Sequence, residues 1–131
     1  MDDNLIKKII INNIEEGIII FDTALNIVYS NDRCREKLGI ADDANIIGES
    51  LFSVFSTVTV NDSHIIKVIK TGEPLIGYYD EFITKYGRKV NLFNSTFPIR
   101  ENGVVIGVID IYREINGYDE MKNRIKILES M

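Results

Sequence analysis

One cysteine, one histidine, two prolines and no tryptophan occur among the 131 residues, and each scarcity removes a class of function. A lone Cys34 cannot close an internal disulfide, so a reducing cytoplasm is the expected location. His64 and one distant cysteine cannot supply the three or four ligands of a usual zinc site. No Gly-x-Ser-x-Gly elbow accompanies that histidine, so no hydrolase, and no other enzyme, is expected. Basic residues are outnumbered, 15 Lys and Arg against 20 Asp and Glu, for a net charge of -5. Without a basic run there is no electrostatic footprint for direct nucleic-acid binding or for an anionic membrane surface. The longest apolar stretches, Ile18 to Phe21 and Val104 to Ile111, fall far short of the roughly 20 residues that cross a bilayer. The opening MDDNLIKKIII lacks the basic start and cleavage site of a secretory signal. A Gly-rich phosphate loop ending in Lys-Ser or Lys-Thr is absent, and so is a helix-turn-helix.

What is present suits one globular domain, with 45% hydrophobic and 27% charged residues. Leu5, Ile6, Ile9, Ile10 and Ile14 recur at i, i+4 and i+5 spacing behind Asp2 and Asp3, which predicts a short amphipathic helix over residues 1–14. Ile18 to Phe21 and Leu25 to Ser30 read as strands joined at Asp22-Thr23-Ala24. Asn31 and Asp32 cap a brief helix that Gly39 stops. Residues 40–60 read as a linker with helical turns around Ile46 and Leu51 to Phe55. Asn61-Asp62-Ser63 signals another helix start before Ile65, Ile66, Val68 and Ile69, and Thr71-Gly72-Glu73-Pro74 signals its end. Three strands follow, Leu75 to Tyr86, Lys89 to Ile99 and Val104 to Ile115, parted by Tyr86-Gly87-Arg88 and by the hairpin signal Asn102-Gly103. The expected fold class is α+β, a five-stranded antiparallel sheet with helices on one face, flanked by N- and C-terminal helices.

Gly17-Ile18-Ile19-Ile20-Phe21-Asp22 resembles the first strand of PAS domains, and Ile27-Val28-Tyr29-Ser30-Asn31 resembles their second strand with the Asn that opens the next helix. Thr71-Gly72-Glu73-Pro74 is similar to the turn leaving the long PAS helix. Gly103 to Gly107 with Val108 to Ile111 resembles the final hairpin, and Glu114-Ile115-Asn116 stands where the family commonly has Asp-Ile-Thr. The resemblance spans nearly the whole chain and implies residues 15–115 as the PAS core. Asn94-Ser95-Thr96-Phe97-Pro98-Ile99 before Asn102-Gly103 looks most like the N-terminal sensory PAS domains of bacterial sigma-54-dependent transcriptional activators. Such a resemblance implies a sensor whose output domains lie C-terminal to this segment.

Neither of the usual PAS cofactors is expected. Asn31-Asp32-Arg33-Cys34-Arg35 is similar to the Asn-x-x-Cys-Arg core of flavin-binding LOV domains, but that motif belongs on the later short helix, near residues 51–57, where no Cys occurs. His64 lies on the helix that supplies the haem ligand in oxygen-sensing relatives, yet alignment on Thr71 and Pro74 puts Asn61 at the ligand position. His64 is therefore expected to be a partly exposed helix residue without a ligand role.

Polar residues interrupt two apolar strand patterns. Val90 and Leu92 are followed on the same parity by Asn94 and Thr96, and Val108 is followed by Asp110 and Tyr112. The family resemblance turns both parities inward, where a carboxylate costs several kcal/mol unless it is paired. Either Arg33, Arg35 or Arg113 satisfies Asp110, or a one-residue register difference leaves it in water, or it serves a ligand. On the last reading Asn94, Thr96 and Asp110, with Tyr79, Glu81 and Tyr112, hold a small molecule such as an amino acid or amine. Tyr118, Met121, Ile125 and Leu128 alternate three and four apart over residues 116–131, the seam of a parallel coiled coil, so a homodimer with a signalling helix is expected. Outward-facing Phe93 and Phe97 call for cover by the N-terminal helix or a second copy. The alternatives to a ligand-binding sensor of transcription are a ligand-free PAS dimerisation module and the sensor domain of a histidine kinase.

Overall fold

The computed structural model describes residues 1–40, 45–55, 63–84 and 87–114, the side chains of residues 11–13 and 37 excepted. Its elements in chain order are α1 (Asp3–Asn13), β1 (Gly17–Asp22), β2 (Ile27–Ser30), α2 (Asp32–Leu38), α3 (Leu51–Val54), α4 (His64–Thr71), β3 (Leu75–Ile83), β4 (Lys89–Glu101) and β5 (Val104–Glu114). The strands form one sheet in the order β2-β1-β5-β4-β3, and every neighbouring pair is antiparallel. The last strand therefore sits at the centre, between the first and the fourth. Helix α2 packs on β1 and helix α4 on β4 and β5. Ile19, Phe21, Ile27, Leu38, Leu51, Val54, Val68, Val90, Leu92 and Val108 fill the layer between sheet and helices.

Local chemistry accounts for most element ends. Asp2 accepts from the Asn4 amide to open α1, and Ser63 accepts from the Ile66 amide to open α4. Gly39 and Gly72 close α2 and α4 in the left-handed conformation that favours glycine. Asn102 and Gly103 both take positive φ, 51° and 81°, as a two-residue type I′ hairpin requires. Strand β2 starts two residues later than Leu25, because Asp22 Oδ1 accepts from the amides of Ala24 and Asn26 and Leu25 itself adopts φ 67°. The capping positions Asn61 and Asp62, the end of the expected strand at Tyr86, and the whole segment 116–131 with Tyr118, Met121, Ile125 and Leu128 lie outside the described residues.

Asn31 binds two layers together. Its Oδ1 caps α2 by accepting from the Cys34 amide at 2.9 Å and also accepts from the Ile18 amide of β1 at 2.9 Å, while Nδ2 donates to the Glu16 carbonyl at 3.1 Å. One amide thus satisfies backbone groups of the first strand and of the helix lying on it. On helix α1, Leu5, Ile6, Ile9 and Ile10 remain 37–54% exposed. Among the described residues no helix is long and apolar enough to cross a membrane.

Replacing Asn31 with Ala removes a helix cap and strands the buried Ile18 amide. A loss of about 3 kcal/mol is expected, as the sum of a cap worth ~1 kcal/mol and an unsatisfied group worth ~2 kcal/mol. Urea denaturation monitored by circular dichroism measures it, and a loss under ~1 kcal/mol would show that water replaces the amide there.

Candidate functional site

Two strand parities bring polar side chains beneath the helices. On β4, Val90, Leu92, Asn94 and Thr96 are buried in succession, and on β5 Val108, Asp110 and Tyr112 are. Thr96 pairs directly with Asp110 across the two strands, and its Oγ1 donates to Asp110 Oδ1 at 2.9 Å. The Tyr78 hydroxyl in turn bonds the Thr96 hydroxyl. Asn94 stands opposite Tyr78 and its Nδ2 lies 3.5 Å from Asp80 Oδ2, while its Oδ1 is buried with no hydrogen-bond partner. His64, first residue of α4, places Nδ1 2.9 Å from the same Asp80 oxygen, with its ring 4.2 Å from that of Tyr78. His64, Tyr78, Asp80, Asn94 and Asp110, with the apolar side chains of Phe21, Leu51, Phe55, Ile65, Phe82 and Leu92, surround a cavity of about 30 Å³.

Asn94 and Asp110 thus line the cavity, and Thr96 lies behind them as the hydroxyl linking Tyr78 to Asp110. Tyr79 and Glu81 do not reach it. Gly77, at φ 70°, sits in a bulge between Ile76 and Tyr78, braced by the Ser95 hydroxyl accepting from its amide at 3.0 Å. That extra residue inverts the parity of the strand beyond it. Tyr79 then bonds Asn91 Oδ1 and Glu81 pairs with Lys89 on the outer face, while Tyr78 and Asp80 turn inward in their place. Tyr112 is inward but remote, its hydroxyl donating to the Cys34 carbonyl at 3.2 Å. His64 is a partly exposed helix residue, as expected, and its ring also forms part of the wall; Ser63 capping α4, which starts the helix at His64, is the signal that places it there.

The three arginines proposed as partners for Asp110 are engaged elsewhere. Arg33 pairs with Glu36, Arg35 with Asp32, and the Arg113 guanidinium lies 5.6 Å over the Phe93 ring on the outer face. Among the described residues no cation reaches Asp110, which is only 7% exposed, so the register that would leave it in water is not adopted. Cys34 is buried on α2 and does not line the cavity; burial pushes its thiol up to about 12. No group of three or more His, Cys, Asp and Glu side chains among the described residues is placed to hold a metal ion. Asn61 lies outside them.

The family profile for the PAS fold matches residues 7–115. This chain belongs to the PAS family. No curated protein matches it in sequence, but solved PAS structures do in shape. The PAS domain of nitrogen regulation protein NR(II) from Vibrio parahaemolyticus superposes with a TM-score of 0.66 at 20% identity, covering 83% of this chain and 97% of that one. A PAS domain from Colwellia psychrerythraea gives 0.71 at 17% identity over 87% and 98%. VqmA of Vibrio cholerae, a longer protein, gives 0.70 at 18% identity over 86% of this chain and 51% of its own; another VqmA structure is of the protein bound to DPO. At these identities the likeness is one of fold.

Burial dominates the electrostatics of this PAS cavity. It pushes the Asp110 carboxyl up to about 7, against the opposing hydrogen bond from Thr96 and with a further push from the Asp80 charge. Asp80 is also raised by burial, which His64 partly offsets. Because Asp110 binds its proton more tightly folded than unfolded, its contribution to stability is full below the ordinary value of 3.8 and is lost as pH rises through about 7. The loss is on the order of 4 kcal/mol if the whole shift is expressed. Asp110→Asn is expected to flatten that decline and to be the more stable protein at alkaline pH. Melting temperature against pH for both proteins tests this, and parallel curves would count against a neutral Asp110.

Proposed function

We propose that this PAS domain senses a small molecule carrying a protonated amine, such as an amino acid or amine, held between sheet and helices by Asp110, Asp80 and Asn94. The observation that carries the reading is the buried Asn94 carbonyl oxygen, left without a donor among the described residues, in the same cavity as a carboxyl that none of their cations meets. Thr96 and Tyr78 spend their hydroxyls on one another and on Asp110. The cavity therefore offers acceptors and asks for a ligand rich in N–H donors. It has room for roughly two waters at ~10–15 Å³ each, so a ligand larger than an ammonium group moves the wall, and His64 is the polar side chain of α4 positioned to yield. A wall that moves is what a sensor requires, because only a ligand that binds two states unequally shifts their populations.

The remainder of the reading follows the family resemblance. The domain is cytoplasmic, performs no chemistry and uses neither haem nor flavin. It relays occupancy through a dimeric C-terminal helix bearing Tyr118, Met121, Ile125 and Leu128 to a transcription-activating output domain of the sigma-54-dependent kind; the same pocket would serve a histidine kinase equally. VqmA, a similar fold, has been solved bound to DPO. A ligand-free dimerisation module is the second reading, favoured by the small size of the cavity and by the exposed apolar residues of α1.

Thermal denaturation with a panel of methylammonium, ethanolamine and free amino acids separates the two. At least one amine is expected to raise the melting temperature, by the equivalent of ~2.7 kcal/mol at a hundredfold excess over its Kd. Tetramethylammonium, which has no N–H, is expected to do nothing. Asp110→Ala should melt cooperatively and lose the response. A panel without effect on a dimer with an empty interior would establish the assembly module instead.

A further inference from the structure

The cavity holds two carboxyl groups, and the fold treats them differently. Asp80 is met by the His64 imidazole at 2.9 Å and by the Asn94 amide at 3.5 Å. Asp110 receives one hydrogen bond, from Thr96 on Oδ1, and among the described residues nothing donates to Oδ2. The groups that face it from each packed element are Tyr78 and Asp80 on β3, Asn94 and Thr96 on β4, Cys34 on α2, His64 across the cavity on α4, and Tyr112 on its own strand. None of these but His64 can carry positive charge, and His64 is turned to Asp80. β1 presents Ile19 to it. An ionised Asp110 would be a buried anion that no cation among the described residues meets, whereas the neutral acid brings no charge into the cavity.

Resting on the amine-sensing reading above, we propose that the cavity takes up its cation in exchange for the proton of Asp110. The Asp110 O–H bond breaks, the proton leaves to solvent, and a ligand N–H donates to the carboxylate left behind. One positive charge enters and one departs, so the buried charge is the same before and after. The unpartnered Asn94 oxygen takes a second N–H, and Asp80 remains with His64 or accepts a third. Occupancy then depends on pH as well as on ligand concentration, and the domain reports the amine against the acidity of its surroundings. Burial raises the carboxyl to about 7, which places this competition near neutrality.

Carboxyl-carbon NMR of the protein labelled at aspartate, with the Asp110 signal assigned by its absence in Asp110→Asn, tests the exchange with methylammonium as the probe. Without the probe, Asp110 is expected to titrate near neutrality; saturating methylammonium should move that titration to lower pH. The apparent affinity, followed by thermal shift, should weaken about tenfold for each pH unit below the midpoint and level off above it. Asp80→Asn should lower the midpoint by removing the neighbouring charge while keeping the tenfold slope, which distinguishes Asp110 from Asp80 as the exchanging group. An Asp110 signal ionised down to the ordinary carboxyl range overturns the proposal. So does methylammonium binding that is independent of pH, an outcome that leaves the amine site standing. Methylammonium without effect on either stability or the Asp110 signal at any pH overturns the amine site, and the exchange with it.

Discussion

A carboxyl group in the middle of a sheet, met among the described residues by a single hydroxyl and by no cation, is the constraint around which the inner face is arranged. Thr96 must lie directly across from Asp110 to reach it, which requires β4 and β5 to keep one register through the centre of the sheet. Tyr78 must turn inward to bond Thr96, which requires the bulge at Gly77. Burying such a group unpaired costs roughly several kcal/mol, so a fold that retains it sacrifices stability where an apolar residue would have added some. Sites that violate the ordinary rules of burial are where function is to be sought.

The scaffold that tolerates this cost is secured at the far side of the same layer. Asn31 joins α2 to β1 through backbone groups alone, and Tyr112 stands over Gly17, where a β-carbon would come within 2.6 Å of its ring. Gly107 packs equally closely, against the Phe21 carbonyl. These contacts hold β1, β5 and α2 without any polar side chain of the cavity. The polar groups of the cavity stand on β3, β4, β5 and α4, whereas the Asn31 and Gly17 contacts lie near β1 and α2.

The sequence made some of this legible because the responsible chemistry is local. Helix caps at Asn31 and Ser63, stops at Gly39 and Gly72, and the Asn102-Gly103 hairpin each depend on a few adjacent residues, and each falls where it was read. The inward parity of Asn94, Thr96 and Asp110 was legible because β4 and β5 alternate cleanly with apolar neighbours. Strand β3 offered no such guide. Its facing depends on one glycine with positive φ, braced by Ser95 from the next strand, so Tyr79 and Glu81 were read as inward when Tyr78 and Asp80 are. The role of His64 was hidden for a related reason: it depends on where α4 meets β3, a long-range contact that no spacing within the helix encodes.

Strand β3 carries its polar pair twice in succession, Tyr78-Tyr79 and Asp80-Glu81. Losing the bulge would turn Tyr79 and Glu81 inward in place of Tyr78 and Asp80, exchanging a phenol for a phenol and an acid for an acid, the acid longer by one methylene. The chemistry of the wall is thus buffered against a slip in folding or in descent, whereas its reach is not. Two such domains differing only in the presence of that bulge would present the same side-chain chemistry on this wall and differ in how far it extends into the cavity.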